Sequence, residues 1–374
     1  MILETHLKLP QGSLHLQRVP LRRNELLQAW DSADQLVLET LPQLTSASRV
    51  LVINDSFGAL SCGILQQSQE ANVTVWGDSY LGYQALRHNG RLNNLPDIAF
   101  VDSLATPQGP FDKVIMRLPK SNSLLRDQVA RLLPQLAPDA QVIIPIMIKH
   151  LDTRLYELLT QLLGSLSSSR AKKKARLLLV HVEQAADNSP EPTVNSWSCR
   201  DMQLSHYSGV YGRKRLDEGT QFLLDNWPQG VFKRVVDVGC GNGILSLQAA
   251  KSWPTAMVTG VDESYMAVAS ATLNARQNGV QQQCQFQVGN CAADLVDQSA
   301  DLVLCNPPFH QQRVVGDHLA MAMFADAARV LTVSGELWVV GNRHLGYHAK
   351  LKRWFKRVDQ QGKHAKFVVL RCRK

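Results

Sequence analysis

Lys233–Gly243, which reads KRVVDVGCGNG, decides the fold of this chain. Its first half is a short apolar run of the kind buried inside a sheet, and the glycines end that run abruptly. Gly239, Gly241 and Gly243 permit sharp turns and close backbone approach, and Ile244 to Lys251 continues as a helix. A strand that passes through such a loop into a helix opens a mostly parallel α/β sheet, whose ligands gather at the carboxyl ends of the strands. The helix N-terminus there exposes N–H groups suited to a carboxylate. By itself the glycine pattern is weak, because nucleotide binders and plain tight turns share it.

The stretches downstream sharpen it. Ala256 to Asp262 is a second strand, and Asp262, 19 residues after Gly243, stands where a carboxylate grips ribose hydroxyls. The same aspartate can cap the helix that starts after Glu263-Ser264, a role compatible with ribose binding. A helix over Tyr265–Gln277 and a strand over Cys284–Val288 lead to Asn290-Cys291, placed to hydrogen-bond an adenine amino group. Next comes Asp301–Gln312, DLVLCNPPFHQQ, a buried strand running into Asn306-Pro307-Pro308-Phe309. Neither proline offers an N–H, so the carbonyls here can face a ligand instead of a sheet neighbour. The Asn306 side chain can accept hydrogens of a planar exocyclic amine, and Phe309 offers a face for stacking. Taken alone, the tetrapeptide reads equally well as a turn after a core strand; the glycine loop and Asp262 favour the pocket. A helix over Leu319–Leu331 and strands over Glu336–Gly341 and Lys366–Arg371 complete this half.

The 374 residues suffice for two domains, and 45% hydrophobic with 19% charged residues describe an ordinary globular protein. No apolar run approaches the roughly 20 residues of a membrane span, and the N-terminal stretch lacks the pattern of a secretory signal. Seven scattered cysteines show no metal-ligand spacing, so the expected compartment is the reducing cytoplasm, with no metal. The formal charge of +8 is concentrated: Lys350 to Lys374 holds ten Lys and Arg against Asp359, and Arg170 to Arg176 reads RAKKKAR. Lys172, Lys173, Lys174 and Arg176, with Lys352 and Arg353, are the candidate contacts to a polyanion, although such runs are often only solvated faces.

The polar, proline-bearing stretch 184–196 reads as a linker between residues 1–183 and 197–374. On both sides the same series of elements appears. Arg49–Ser61 lines up with Arg234–Ser246, Val75–Asp78 with Thr259–Asp262, and Asp112–Lys120 with Asp301–Phe309. One fold used twice is the reading, because several aligned pairs are polar. In the first copy Gly239 and Gly241 become Asn54 and Ser56, and Asn-Pro-Pro-Phe becomes Arg-Leu-Pro-Lys. That copy keeps what a sheet needs and loses what a site needs. It is therefore expected to be non-catalytic, to bind and orient the substrate, and to use Arg18, Arg22 and Arg23 as well as the lysine run.

DVGCGNG, Asp262 and NPPF together resemble the class I S-adenosylmethionine-dependent methyltransferases that act on exocyclic or amide nitrogens. The duplicated arrangement and NPPFHQQ are similar to the bacterial ribosomal RNA guanine-N2 methyltransferases. The large-subunit members are the nearer, through NDSFGALSC, DESYMAVASATLN, GELWVVGNRHL and KFVVL. Val210-Tyr211-Gly212 departs from that family's Val-Phe-Ser. The resemblance implies two class I domains, each a mostly parallel seven-stranded sheet with an antiparallel last strand, the N-terminal one degenerate. It implies that Asp237, Gly239, Cys240, Gly241, Gly243, Asp262, Glu263, Asn290 and Cys291 hold S-adenosylmethionine, and that Asn306, Pro307, Pro308 and Phe309 hold the base. The implied activity is methylation of a guanine N2 in 23S large-subunit rRNA by a monomer, on protein-free RNA or an assembly intermediate. Other readings left open are a 16S rRNA guanine, adenine N6, a glutamine amide in a protein, and a non-enzymatic RNA-binding factor built on the same fold.

Overall fold

The computed structural model describes residues 4–10, 12–22, 25–182, 192–308 and 313–374, without the side chains of 313–316. The chain divides into two compact units, Met1–Thr193 and Val194–Lys374. In the first, β1 (His6–Leu9) and β2 (Gly12–His15) form a hairpin, followed by α1 (Ser32–Thr40), β3 (Arg49–Ile53), α2 (Ala59–Gln67), β4 (Asn72–Gly77) and α3 (Tyr80–Leu92). Then come β5 (Ala99–Asp102), β6 (Phe111–Met116), α4 (Asn122–Leu132), β7 (Leu136–Met147), α5 (Thr153–Leu163), β8 (Gly164–Ser168) and β9 (Ala175–Val182).

The second unit repeats the series. A hairpin of β10 (Val194–Cys199) and β11 (Met202–Tyr207) precedes α6 (Glu218–Asp225), β12 (Arg234–Val238), α7 (Ile244–Ser252), β13 (Met257–Asp262) and α8 (Tyr265–Gln277). After these come β14 (Cys284–Val288), β15 (Ala300–Cys305), α9 (Arg313–Val330), β16 (Leu331–Asn342), α10 (Tyr347–Leu351), β17 (Arg357–Gln361) and β18 (Phe367–Arg373). The two seven-stranded sheets have the same order, β5-β4-β3-β6-β7-β9-β8 and β14-β13-β12-β15-β16-β18-β17. In each, six strands run in one direction and β9 or β18 alone is antiparallel to its neighbours. β12 and β15 lie mid-sheet and are buried almost throughout, which is why their sequences read as largely apolar runs without alternation.

Both hairpins are fastened by the same device. Asn274 on α8 and Asn278, the C-cap residue one turn on, each accept from and donate to the backbone of β11, at Ser205 and Gln203 respectively. Asn89 on α3 and its C-cap residue Asn93 do the same at Gln17 and His15.

Several boundaries differ from the sequence reading. The helix expected over Leu319–Leu331 starts at Arg313, and Leu331 instead opens β16, pairing with Ala300 ahead of a register shift. β17 was not anticipated: RVDQQ is a mostly polar edge strand without the alternation that marks a half-buried one. The stretch 184–196 expected as a linker lies mainly outside the described residues, and Val194–Ser196 are already part of β10. One alignment needs correction. Ile53 pairs with Trp76 as Val238 pairs with Val261, so Gly77, not Asp78, stands where Asp262 does.

Candidate active site

β12 ends at Val238 beside Cys305, the end of β15, so the glycine loop and Asn306 leave adjacent strands at the same level. All three loop glycines are left-handed, with φ of +74° at Gly239, +54° at Gly241 and +82° at Gly243. They do different things. A Cβ on Gly243 would sit 2.9 Å from the Ala271 Cβ and 3.1 Å from its Cα, so this glycine lets α7 start against α8. A Cβ on Gly241 would meet no heavy atom within 4 Å, so this glycine faces open space. The Gly239 and Cys240 N–H groups both donate to the Val261 carbonyl, at 2.8 and 3.1 Å, fixing the loop over β13.

Asp262 is clamped by backbone. Its Oδ2 accepts the Gly241 N–H at 2.9 Å and its Oδ1 accepts the Ser264 N–H at 3.0 Å, leaving lone pairs on both oxygens for a ligand. The helix cap is the next residue but one, Ser264, whose hydroxyl accepts from Ala267, so Asp262 is released from that duty. Burial pushes the Asp262 carboxyl above its ordinary range.

Asp237 is 1% exposed, and its Oδ2 accepts from the Ser246 N–H at 3.0 Å and hydroxyl at 2.7 Å. Its Oδ1 has no hydrogen-bond partner among the described residues. Burial, against the Ser246 hydrogen bonds and reinforced by the nearby Asp262 charge, pushes this carboxyl to about 7. A buried carboxylate oxygen without a donor, on the strand that leads into a loop where Gly241 faces open space, fits an N–H-bearing ligand at this loop. Asn290 and Cys291 follow β14 directly after Gly289, whose N–H donates to the Asp262 carbonyl at 2.9 Å. The loop beyond them is tied to α9, where Asp326 accepts the Ala292 N–H at 3.1 Å and Arg329 donates to the Leu295 carbonyl at 2.7 Å. Glu263 is exposed.

The Asn306 Nδ2 donates to Thr220 Oγ1 at 2.8 Å and to Asp217 Oδ2 at 3.3 Å, while Asn306 Oδ1 is buried without a partner among the described residues. Asp217 caps α6 through the Thr220 N–H at 3.0 Å, and its other oxygen accepts the Tyr211 hydroxyl at 2.8 Å. Burial, helped by the adjacent Asp217, holds the Tyr211 phenol well above its usual range, so it stays a donor. Sequence reasoning missed Asp217 and Thr220. Asp-Glu-Gly-Thr ahead of an apolar run signals a helix start, but nothing in it names a partner 86 or 89 residues away. Pro307 is buried and Pro308 exposed; Phe309 lies outside the described residues. The thiols of Cys240 and Cys305 are buried, which raises them far above their ordinary value and unsuits them as nucleophiles.

The basic candidates lie on other elements. Lys173 and Lys174, both at positive φ, form a tight turn ahead of β9, closed by the bridge between Lys172 and Ala175. Lys172 pairs with Glu39 at 2.5 Å, Lys173 reaches Gln35 at 3.2 Å, and Arg176 reaches Ser168 at 3.2 Å. Lys352 and Arg353 are exposed just after α10, with the Arg353 guanidinium 5.4 Å from the Trp354 ring centre. Within the C-terminal run, Lys350, Lys366, Arg371 and Arg373 are paired with Asp317, Glu218, Glu336 and Asp359.

Residues 201–371 match the family described as methyltransferase small domain, and residues 4–185 match the RLMG N-terminal domain. The sheet order, the glycine loop and the acidic end of the neighbouring strand define a class I S-adenosylmethionine-dependent methyltransferase. Ribosomal RNA large subunit methyltransferase G of Stutzerimonas stutzeri is 47% identical over 368 residues, covering 97% of both chains. Its counterpart from Pseudomonas aeruginosa PAO1 is 44% identical over 371 residues and 98% of both. The chain belongs to the ribosomal RNA large subunit methyltransferase G family. Among solved structures, the T. thermophilus 16S rRNA N2 methyltransferase RsmC, in complex with AdoMet and guanosine, superposes with a TM-score of 0.79. That alignment covers 99% of this chain and 97% of the other at 23% identity, and shows the shared fold.

Proposed function

We propose that the second unit methylates the exocyclic N2 amine of a guanine in 23S large-subunit rRNA, with S-adenosylmethionine as donor. S-adenosylmethionine, when bound, supplies an electrophilic methyl group on a sulfonium. Asp262 would hold its ribose, the loop Gly239–Gly243 its amino-acid portion with Asp237 beneath, and Asn290 its adenine. Cys240, Glu263 and Cys291 line the same turns. The chain's own contribution to reactivity lies at Asn306. A guanine amino nitrogen is a poor nucleophile because its lone pair is drawn into the ring. An Asn306 Oδ1 that accepts one of its protons, with the Pro307 carbonyl accepting the other, favours pyramidalisation and holds the nitrogen in line. Phe309 supplies the stacking platform for a base drawn out of its helix.

The observation that carries this reading is the polarity of the Asn306 amide, with nitrogen tied to Thr220 and Asp217 and oxygen left without a partner among the described residues. Asn306→Ala tests it. Removing one such acceptor lowers turnover by about 100- to 1000-fold, with cofactor affinity, read by calorimetry, little changed. A near-wild-type rate on unmodified large-subunit rRNA overturns the reading.

Residues 1–183, which fall within the first unit, we read as a degenerate duplicate that binds and orients the RNA. Supporting it are the shared sheet order, the matching asparagine pairs on α3 and α8, and Asn54, Gly77 and Arg117 standing in the places of Gly239, Asp262 and Asn306. No helix among the described residues is long and apolar enough to cross a membrane. A monomer acting in the cytoplasm agrees with an rRNA substrate.

A further inference from the structure

An amide side chain presents either its oxygen or its nitrogen to a ligand, and the two ends are nearly equal in shape. For a pocket that must receive an amine, the wrong end repels. What decides the orientation of Asn306 is its partner. Asp217 Oδ2 lies 3.3 Å from the Asn306 amide nitrogen, and a carboxylate can only accept, so it admits the nitrogen and turns the oxygen the other way. Thr220 Oγ1, 2.8 Å from the same nitrogen, could by itself accept or donate, but it donates its proton to Asp217 Oδ2 at 3.4 Å, so the carboxylate also fixes Thr220 as an acceptor. The carboxylate is itself held at both ends. Its Oδ1 takes the Tyr211 hydroxyl at 2.8 Å and its Oδ2 takes the Thr220 N–H at 3.0 Å. The corresponding place in the first unit makes the contrast. There Arg117 follows β6, and its guanidinium pairs with Asp31, the cap of α1, at 2.7 Å and with Asp34 at 3.3 Å. The carboxylate at the helix start is kept, but an arginine has no oxygen to offer a ligand.

We infer that Asp217 is a positioning and specificity-determining residue, which acts through Asn306 to present an acceptor, and thereby selects an N–H-bearing acceptor substrate. This rests on the role given to Asn306 above. The step it assists moves no proton to Asp217: the methyl carbon forms a bond to the substrate nitrogen as the bond to sulfur breaks, and the nitrogen's surplus proton leaves to water.

Two substitutions that both preserve the α6 cap test the inference. Asp217→Ser keeps a cap oxygen for the Thr220 N–H but is too short to reach Asn306. Asp217→Asn keeps the cap oxygen in the Oδ2 position and so still faces the Asn306 nitrogen with an acceptor. Turnover on unmodified large-subunit rRNA, offered protein-free and as large-subunit particles, is expected to fall about 10-fold or more in Asp217→Ser. Asp217→Asn should recover most of it, and the KM for S-adenosylmethionine should move little in either. In an Asn306→Ala background, Asp217→Ser should add little further loss. Equal losses in both Asp217 variants would assign the effect to charge and overturn the inference; wild-type turnover in both would leave only a cap and overturn it equally. Undiminished turnover in Asn306→Ala itself would fall on the role of Asn306, whereas a dead Asn306→Ala with an unaffected Asp217→Ser refutes the inference alone.

Discussion

Two glycines two positions apart in one loop should fail in different ways. At Gly241, alanine meets nothing within 4 Å in the protein, and the cost to folding is that of a side chain at φ +54°. That is about 1–2 kcal/mol, partly offset by about 0.4–1 kcal/mol from the stiffer unfolded chain. At Gly243, alanine adds a methyl 2.9 Å from the Ala271 Cβ and 3.1 Å from its Cα, a backbone atom of α8 that cannot step aside as a flexible side chain would. Overpacking of that kind adds about 1–3 kcal/mol to the conformational strain. At about 2–4 °C per kcal/mol for a unit of this size, Gly241→Ala should lower the melting temperature by only a few degrees. Gly243→Ala should lower it by roughly 5 °C or more. Binding should rank them in the reverse order of folding. Calorimetry with S-adenosylmethionine, at a temperature where both variants are folded, should show Gly241→Ala weakened about tenfold or more, because the new methyl occupies the ligand's side of the loop. Gly58→Ala is the control in the first unit. Its Cβ would lie 2.9 Å from the Leu86 Cα, so it should cost stability as Gly243→Ala does and leave cofactor binding alone. Unimpaired binding by Gly241→Ala would refute the division of labour, as would a wild-type melting temperature for Gly243→Ala.

Asp262→Ala should raise the cofactor KM first, with turnover at saturation less affected, if it holds the ribose as proposed; a loss confined to kcat would argue against it. Asp237 should make the protein less stable as pH rises. Its folded pKa of about 7 lies above the ordinary 3.8, so between those values the unfolded chain releases a proton that the native state keeps. Stability from this group is full below about pH 4 and is lost as pH climbs to 7, at roughly 1.4 kcal/mol for each pH unit crossed. Urea unfolding of Asp237→Asn should decline less across that window than wild type, and parallel curves would contradict it; Asp34, raised in the same sense, contributes to both proteins alike. Replacing Lys172, Lys173 and Lys174 by alanine should flatten the salt dependence of RNA binding by about 0.7 to 0.9 log units for each phosphate these lysines neutralise. An unchanged slope would make the run a hairpin turn and nothing more.

The sheet was legible where burial leaves a mark on composition. β12 and β15 are short, largely apolar and buried, and the glycine loop announces the passage from strand to helix. β17 was illegible because an exposed edge strand such as RVDQQ has no apolar face to alternate. The one-residue slip at Asp78 came from an aspartate at the strand end in both units: Asp262 closes β13 but Asp78 follows β4, and only the ladder between β3 and β4 shows that Gly77 takes the equivalent place. Within the candidate site, the motif residues proposed from the sequence stand out by type and spacing, whereas the residues that hold them in place do not. Ser246, Asp217, Thr220, Asp326 and Arg329 act through hydrogen bonds whose partners lie 9 to 89 residues away.

The polar groups at the corresponding places of the two sheets are satisfied in different ways. Asn54 keeps the left-handed turn of Gly239, at φ +61°, because asparagine tolerates that conformation better than most residues. Its amide then exchanges hydrogen bonds with Gln128 at 2.9 Å each way and reaches the Arg117 carbonyl at 2.8 Å. The serine that anchors Asp237 in the second unit has a counterpart in Ser61, but its carboxylate comes from Asp55, three positions later along the chain than the equivalent of Asp237. Leaving a buried donor or acceptor unpaired costs about 1–3 kcal/mol. In the first unit these groups satisfy one another, whereas Asp237 and Asn306 each keep an oxygen without a partner among the described residues of the second. Selection for stability alone would pair or remove those oxygens, as the first unit does. Their presence in the second, on adjacent strands that lead into the glycine loop and Asn306, is what the proposed role of that unit in holding a ligand requires.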